Sequence, residues 1–136
     1  MSWINDTTYI LLKKMLDVCA LRHRVIANNI ANVDTPGFKS RRVVFEEKLR
    51  SLLRRNIDGK KLKSLTPTIY VDTSQVMRED FNNVDIEKEM VRLSMNALRY
   101  DLYVQLLSGK LERIKEAIKG RQKRGIKWVT FHFFPP

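Results

Sequence analysis

The apolar positions near the C-terminus repeat with the spacing of a helix that pairs with other helices. From residue 86 to residue 118, alternating steps of four and three meet ten apolar residues and no polar one. A 3-4 repeat sustained over more than four heptads is typical of a coiled-coil seam. These ten positions, the C-terminal seam, are Ile86, Met90, Leu93, Ala97, Tyr100, Val104, Leu107, Leu111, Ile114 and Ile118.

Residues at both ends of the C-terminal seam predict where its helix begins and ends. Asn82, Asn83 and Asp85 precede the repeat, and Asn and Asp are favoured as helix N-caps. Lys119 adds positive charge to the last turn, and Gly120 then favours a C-terminal cap. The pattern therefore predicts a helix of roughly 35 residues, about 50 Å long at 1.5 Å per residue.

A similar apolar stripe runs along the N-terminal segment, and asparagines occur in its last turns. Its apolar steps of three and four include Leu12, Leu16, Ile26 and Ile30, and a neighbouring row continues through Asn29 and Asn32. Such amides either hydrogen-bond to a neighbouring chain and fix register, or weaken and cap the end of the helix. The sequence favours neither interpretation over the other.

The N-terminal helix is predicted to stop at a tight turn. Thr35 precedes a proline, and this position disfavours helical backbone. Pro36 and Gly37 suit the two central positions of a type II turn, because the second requires a positive φ angle. We expect Phe38 to anchor the departing chain in an apolar pocket.

The residues around this turn resemble a known protein family. The segment "ANNIANVDTPGFK", residues 27–39, is similar to the N-terminal motif of the axial proteins of the bacterial flagellum, which are its rod, hook and hook-associated subunits. Residues 82–118, "NNVDIEKEMVRLSMNALRYDLYVQLLSGKLERIKEAI", resemble the C-terminal segment of the proximal rod subunits of the basal body. The middle of the chain is short, which is consistent with a rod subunit rather than a hook subunit.

The resemblance implies a mainly α fold and a structural role. Long N- and C-terminal helices, within residues 1–34 and 83–119, pair as an antiparallel coiled coil in an inner-tube domain. Residues 35–82 supply a turn, a short helix and an extended segment. The implied partners are other copies of the chain, other rod proteins, basal-body ring and rod-adapter proteins, and the flagellar export apparatus. The implied location is the rod on the periplasmic side of the inner membrane, reached by type III export without an ordinary secretory signal.

Two groups of residues are expected to form the contacts between subunits. The turn of the family motif comprises Asn28, Thr35, Pro36, Gly37 and Phe38. The residues expected at subunit interfaces are Leu12, Leu16, Ile26, Asn29, Ile30, Asn32, Ile86, Met90, Leu93, Tyr100, Val104, Leu107, Leu111 and Ile114.

Shorter patterns occupy the middle of the chain. Residues 44–56 predict a short helix with Phe45 and Leu49 on its apolar face, and residues 56–67 predict a loop around Gly59. The β-branched residues of 68–77 predict a strand or extended segment.

Charge adds an alternative from another functional class. The 136-residue chain, one domain in length, carries a net charge of +11, of which +7 lies in residues 39–63. Such a cationic segment allows nucleic-acid binding. Aromatic residues are not interleaved with these cations and no DNA-binding motif appears, so a solvated loop is favoured. A third interpretation is contact with acidic surfaces of adjacent rod or ring proteins.

The last residues, 120–136, depart from the family pattern. They combine four cations with Trp128, Phe131 and Phe133 in a strand-like alternation. An unstructured appendage, an extra contact to a ring or neighbouring subunit, and a sequence artefact are the three interpretations.

No catalytic constellation appears in the sequence. The histidines are His23 and His132, Cys19 is the single cysteine, and no phosphate-binding or nucleophile motif is found. We therefore expect no enzyme activity, metal, cofactor or small-molecule ligand.

Overall fold

The computed structural model describes residues 6–55, 59–74 and 78–133, with the backbone alone for residues 121–133. The mainly helical architecture confirms the predicted fold class. In chain order its elements are α1 (Thr7–Ala31), β1 (Arg41–Val44), α2 (Glu46–Leu53), α3 (Gly59–Ser64), β2 (Thr68–Val71) and α4 (Ile86–Phe133).

The two long helices, α1 and α4, pack together in antiparallel directions. Residues later in α1 contact residues earlier in α4, as three hydrogen bonds demonstrate. In order along α1 these join Asp6 to Lys110, the Cys19 carbonyl to Asn96 (2.9 Å) and Asn29 to Glu89 (3.2 Å). The antiparallel pairing implied by the family resemblance is therefore confirmed.

The main apolar cluster lies between α1 and the middle of the chain rather than along the α1–α4 contact. Phe45, at the junction of β1 and α2, is fully buried in this cluster. Leu49 and Leu65 pack against its edge. The middle segment thus packs against one side of α1, and α4 packs against another. The cluster comprises Met15, Val18, Val25, Val43 and Phe45.

The middle segment contains more regular structure than its sequence pattern predicts. Helix α2 and strand β2 confirm the predicted short helix and strand. Strand β1 pairs antiparallel with β2, with Arg41 opposite Val71. The predicted loop around Gly59 is wrong for residues 59–64, which form α3. Leu62 is 1% exposed, so burial of its side chain stabilises a helix that local propensity alone does not.

The C-terminal end of α4 is the second correction. The helix continues through Gly120 to Phe133, so the predicted end at residue 119 is wrong, and the alternating residues of the tail belong to a helix. Glycine in a helix interior costs about 1 kcal/mol relative to alanine, and good helix formers on both sides offset that penalty. Residues 134–136 lie outside the described part of the chain.

The predicted turn after α1 is present. Gly37 has a φ of +72°, and the Phe38 N–H donates to the Thr35 carbonyl oxygen at 3.2 Å. This geometry is that of a type II turn with Pro36 and Gly37 at its centre. A side chain larger than hydrogen at Gly37 would resist the positive φ angle.

Asn82 stabilises this turn and does not cap α4. Its Nδ2 donates to three carbonyl oxygens just past α1, those of Asn32 (2.9 Å), Val33 (3.0 Å) and Thr35 (2.9 Å). The prediction that Asn82 caps α4 is wrong, since its amide is used 50 residues earlier in the chain. Asp85 supplies the cap instead, accepting from the Lys88 N–H at 3.2 Å.

We predict that Asn82→Ala lowers the free energy of unfolding by about 1–3 kcal/mol, because it removes the three hydrogen bonds that the buried Asn82 amide donates to the turn. Urea denaturation followed by circular dichroism at the helix band measures the change. Asn28→Ala, at an exposed position on α1, is the control and should leave the midpoint nearly unchanged. Equal midpoints for the two variants would contradict the role assigned to Asn82.

Candidate functional site

The face that α4 turns toward α1 carries a row of mostly polar residues. Glu89, Asn96, Tyr103 and Lys110 are spaced seven residues apart and therefore lie along one side of the helix. Glu89 and Asn96 are 1% and 3% exposed and hydrogen-bond to α1, as does Lys110. Tyr103 packs against the apolar cluster. The α1–α4 contact is therefore set by this row, which we call the polar row.

Most of the C-terminal seam consequently faces away from α1. Met90, Val104 and Leu111 are 50%, 37% and 43% exposed. The intervening seam residues Leu93 and Leu107 are half-buried beside α1. The outward seam comprises Ile86, Met90, Tyr100, Val104, Leu111 and Ile118, all exposed.

A second apolar stripe on α4 was missed by the sequence reasoning. Val91, Met95, Leu98 and Leu102 follow the helical spacing i, i+4, i+7, i+11, and every one is exposed, Leu98 to 70%. A helix that is apolar on several sides is typical of one that is covered by more than one neighbour. The helical spacing of these four residues would have predicted the second stripe from the sequence. It was overlooked because the longer C-terminal seam already accounted for an apolar face of the helix.

The predicted interface residues of α1 are less accessible. Leu12 and Ile26 are buried within the chain, and Leu16, Ile30 and Asn32 are half-buried. On α4, Ile114 is also half-buried. Leu12 and Ile26 therefore do not lie on a surface open to a neighbouring subunit, because the chain's own elements cover them.

Asn29 is likewise an internal residue, fully buried at the meeting point of α1, β1 and α4. Its Nδ2 donates to the Arg41 carbonyl oxygen at 2.8 Å, and its Oδ1 accepts from the Arg41 N–H at 2.9 Å. The amide therefore pairs with the backbone of β1 as a neighbouring strand would. Nδ2 also donates to Glu89 at 3.2 Å. Its polar atoms are occupied inside the chain, so the amide has partners without a contact across a subunit boundary.

Asn32 also finds its partners locally. Its Nδ2 donates to the Asn28 carbonyl oxygen at 2.8 Å, and its Oδ1 accepts from the Thr35 hydroxyl at 3.2 Å. These bonds match the capping interpretation of the amide rather than the interface interpretation. Of the two alternatives left open by the sequence, the structure supports internal roles for both Asn29 and Asn32.

We predict that Asn29→Ala destabilises the isolated chain by about 1–3 kcal/mol, because the Arg41 backbone and the Glu89 carboxylate lose a buried partner. Alanine's better helix propensity, worth less than about 0.7 kcal/mol, does not compensate. Thermal unfolding of the purified chain is the measurement, with half-exposed Asn32→Ala as the milder comparison. A variant as stable as the parent would show that the amide is dispensable for folding.

An ion pair connects the N-terminal end of α1 to α4. The Lys110 ammonium donates to the Asp6 carboxylate, and this bond, followed by that from the Thr8 N–H, lowers the pKa of Asp6 below 3.8. A carboxyl group with a lowered pKa stabilises the folded state above its unfolded pKa. That contribution is lost as the pH falls through the folded pKa.

We predict that Asp6→Asn lowers the thermal midpoint at pH 7 and that the difference from the parent chain shrinks below about pH 3.8. Unfolding scans from pH 7 down to pH 2.5 provide the comparison. The control is Asp17→Asn, at an exposed position on the same helix. A difference that stays constant with pH would contradict the ion pair as its origin.

The residues of the family-motif turn lie on the surface. Asn28, Thr35, Pro36 and Gly37 are exposed, and Phe38 is half-buried. Although the turn is exposed, its backbone is fixed: the Gly37 N–H, for example, donates to the Asp80 carbonyl oxygen at 2.7 Å. The turn is thus an ordered surface feature.

Part of the cationic segment is engaged within the chain. Lys39 donates to the Phe81 carbonyl oxygen at 2.7 Å, and Arg42 forms an ion pair with Asp72 at 3.0 Å. Cations held in this way do not form the continuous solvated patch that contacts a nucleic-acid backbone. Across the described residues, no helix has the length and apolar character needed to span a membrane.

Comparison with known proteins identifies the family context of these features. A family model described as "Flagella basal body rod protein" matches residues 20–39, which include the end of α1 and the turn. Among curated proteins, the flagellar basal body rod protein FlgB of Borrelia hermsii is 36% identical over 126 residues, covering 80% of this chain and 93% of that protein. FlgB of Aquifex aeolicus is 31% identical, covering 82% and 92%. FlgB of Bacillus subtilis is also 31% identical, covering 80% and 91%.

Proposed function

Because this chain belongs to the FlgB family of flagellar basal body rod proteins, and is therefore a structural rod subunit and not an enzyme, we propose that it assembles by burying the outward seam of α4 against neighbouring subunits. The observation that carries the proposal is the exposure of a regular apolar stripe on a helix whose inner contact is largely polar. Contiguous exposed apolar surface of this kind is typical of interaction sites.

The proposed interface is drawn from the residues that a neighbour can reach. Ile86, Met90, Tyr100, Val104 and Leu111 are its centre, and the half-buried Leu93, Leu107, Ile114, Leu16 and Ile30 are its edge. Complete burial of one leucine or isoleucine stabilises by about 1.5–3 kcal/mol. Several such side chains, repeated at every subunit, supply the assembly energy.

The geometry of a rod also bears on how these surfaces are used. A head-to-tail contact that does not close into a ring generates a helical filament, and it needs two different patches on each subunit. The second stripe around Leu98 supplies apolar surface on another side of α4. We propose that the outward seam and the second stripe contact different neighbours.

The remaining elements of the proposal come from the family resemblance. The terminal segments 1–34 and 83–119 act as the inner-tube domain, and 35–82 is the segment between them. The partners are other copies of the chain, other rod proteins, and ring and rod-adapter proteins. The chain passes through the flagellar type III export apparatus and resides in the rod on the periplasmic side of the inner membrane.

We predict that Leu111→Asp abolishes rod assembly and swimming while the purified chain remains folded. Leu111 is exposed in the single chain, so the charge harms only a state in which the seam is buried without a partner for it. The measurements are motility of a complemented deletion strain, rod yield in purified basal bodies, and helicity of the isolated variant.

The matched control is Gln105→Asp, which introduces the same charge at an exposed position of α4 that is already polar. It should be tolerated. Swimming cells that carry Leu111→Asp would show that the outward seam is not an assembly surface. Half-buried Leu107 is a poorer test position, because its replacement also affects packing against α1.

A further inference from the structure

A cleft of about 590 Å³ opens between α1, β1 and α4, on the side of α4 opposite the outward seam. Its walls hold two carboxylates, Glu46 and Glu89, so its formal charge is +3. The flagellar family context does not account for this concentration of guanidinium groups. The arginines that line the cleft are Arg22, Arg41, Arg42, Arg92 and Arg99.

The carboxylates of the cleft are already paired. Arg22 Nη2 donates to both oxygens of Glu46, at 2.7 and 2.9 Å. Burial would raise the pKa of Glu46, but hydrogen bonds from its own N–H and from Arg22 outweigh that effect and lower it. Arg92 Nη1 donates to one oxygen of Glu89, and Asn29 Nδ2 donates to the other. Both carboxylates are thus held by guanidinium groups.

Donor groups nevertheless remain unused. The exposed side chains of Arg41 and Arg99 make no hydrogen bond or ion pair with any residue that the structure describes. Arg22 Nη1 and Arg42 Nε are buried and lack acceptors within the same described ranges. A buried donor without a partner costs about 1–3 kcal/mol, so an acceptor entering the cleft would gain from pairing with it.

Apolar side chains form the rest of the lining. Val25, Ile26 and Val43 lie toward the core, and Met95 and Tyr103 project from α4. Guanidinium groups beside apolar surface suit an aspartate or glutamate with apolar neighbours. A nucleic-acid strand is a poor match, because it requires aromatic stacking surfaces and the single aromatic lining residue, Tyr103, is half-buried.

We propose that this arginine cleft is a docking site for an acidic segment of a different protein subunit in the basal body, with an aspartate or glutamate side chain contacting Arg41 and Arg99. The proposal rests on the proposed function as a rod subunit. The occupant is placed on a different protein because this chain is basic overall, with 26 lysines and arginines against 15 aspartates and glutamates. The acidic segment instead complements the charge of the cleft.

The test is charge reversal at the two free arginines. Arg99→Glu and Arg41→Glu should each reduce incorporation into basal bodies by about tenfold or more, since they replace an attractive pair by a repulsive one. Both positions are exposed and make no side-chain bonds in the described chain, so the purified variants should keep the parent's helicity. Arg99→Lys should retain most of the incorporation. Arg24→Glu, exposed on α1 and outside the cleft, is the matched control and should assemble normally.

A photo-crosslinking amino acid at position 99, in assembled basal bodies, identifies the occupant. The expected product joins this chain to a peptide of another basal-body protein that contains aspartate or glutamate, and an acid-to-lysine change in that peptide should restore incorporation of Arg99→Glu. Normal incorporation of Arg99→Glu and Arg41→Glu, or a crosslink to nucleic acid or to a second copy alone, would overturn the proposal. A strain that lacks this protein separates the two proposals. If the strain still builds complete rods, the proposed function as a rod subunit is contradicted. If it builds no rods while both cleft variants assemble, only the assignment of the cleft is contradicted.

Discussion

The requirement that buried polar groups be paired decides how the two long helices meet. Glu89 and Asn96 each form a hydrogen bond with α1 and are almost completely removed from solvent, and Lys110 binds Asp6, the N-cap residue of α1. Turning α4 by one heptad position would separate these groups from their partners and leave them unsatisfied at about 1–3 kcal/mol each. An apolar contact tolerates such a rotation far better, because it is not directional. The polar row therefore fixes the rotation of α4, and this rotation leaves most of the apolar seam on the outside.

Two buried asparagines carry the connection from α1 to the rest of the chain. Asn29 pairs with the N–H and carbonyl of Arg41, and Asn82 donates to carbonyls at the end of α1. An amide has both a donor and an acceptor, so it can replace a backbone partner where no strand or helix continues. The abrupt turn at Pro36 and Gly37 is thereby held rigidly although it lies on the surface. The concentration of amides before the turn reflects this internal bonding.

Much of the fold was predictable because it depends on local periodicity. The long helices, the type II turn and α2 each follow from spacing or from residue-specific φ preferences. The roles of Asn29 and Asn82 were not predictable, since their partners lie 12 and about 50 residues away and an amide serves a cap, a turn or an interface equally well. The seam pattern likewise identified the apolar positions of α4 but not which of them face α1. That choice depends on Glu89 and Asn96, which a search for apolar periodicity passes over.

The rotation of α4 also gives its two open flanks different chemistry. At 100° per residue, Arg92 and Arg99 lie on one side of the line through Glu89 and Asn96, and Met90 and Val104 lie on the other. The first flank carries guanidinium groups in a cleft that is bordered by Met95 of the second stripe, and the other flank carries the outward seam. Neighbours that complement one flank are mismatched to the other, because an acidic segment gains little on the outward seam and an apolar helix leaves the guanidinium groups unpaired. In the proposed assembly, this difference in chemistry lets the subunit distinguish the neighbour on one flank from the neighbour on the other.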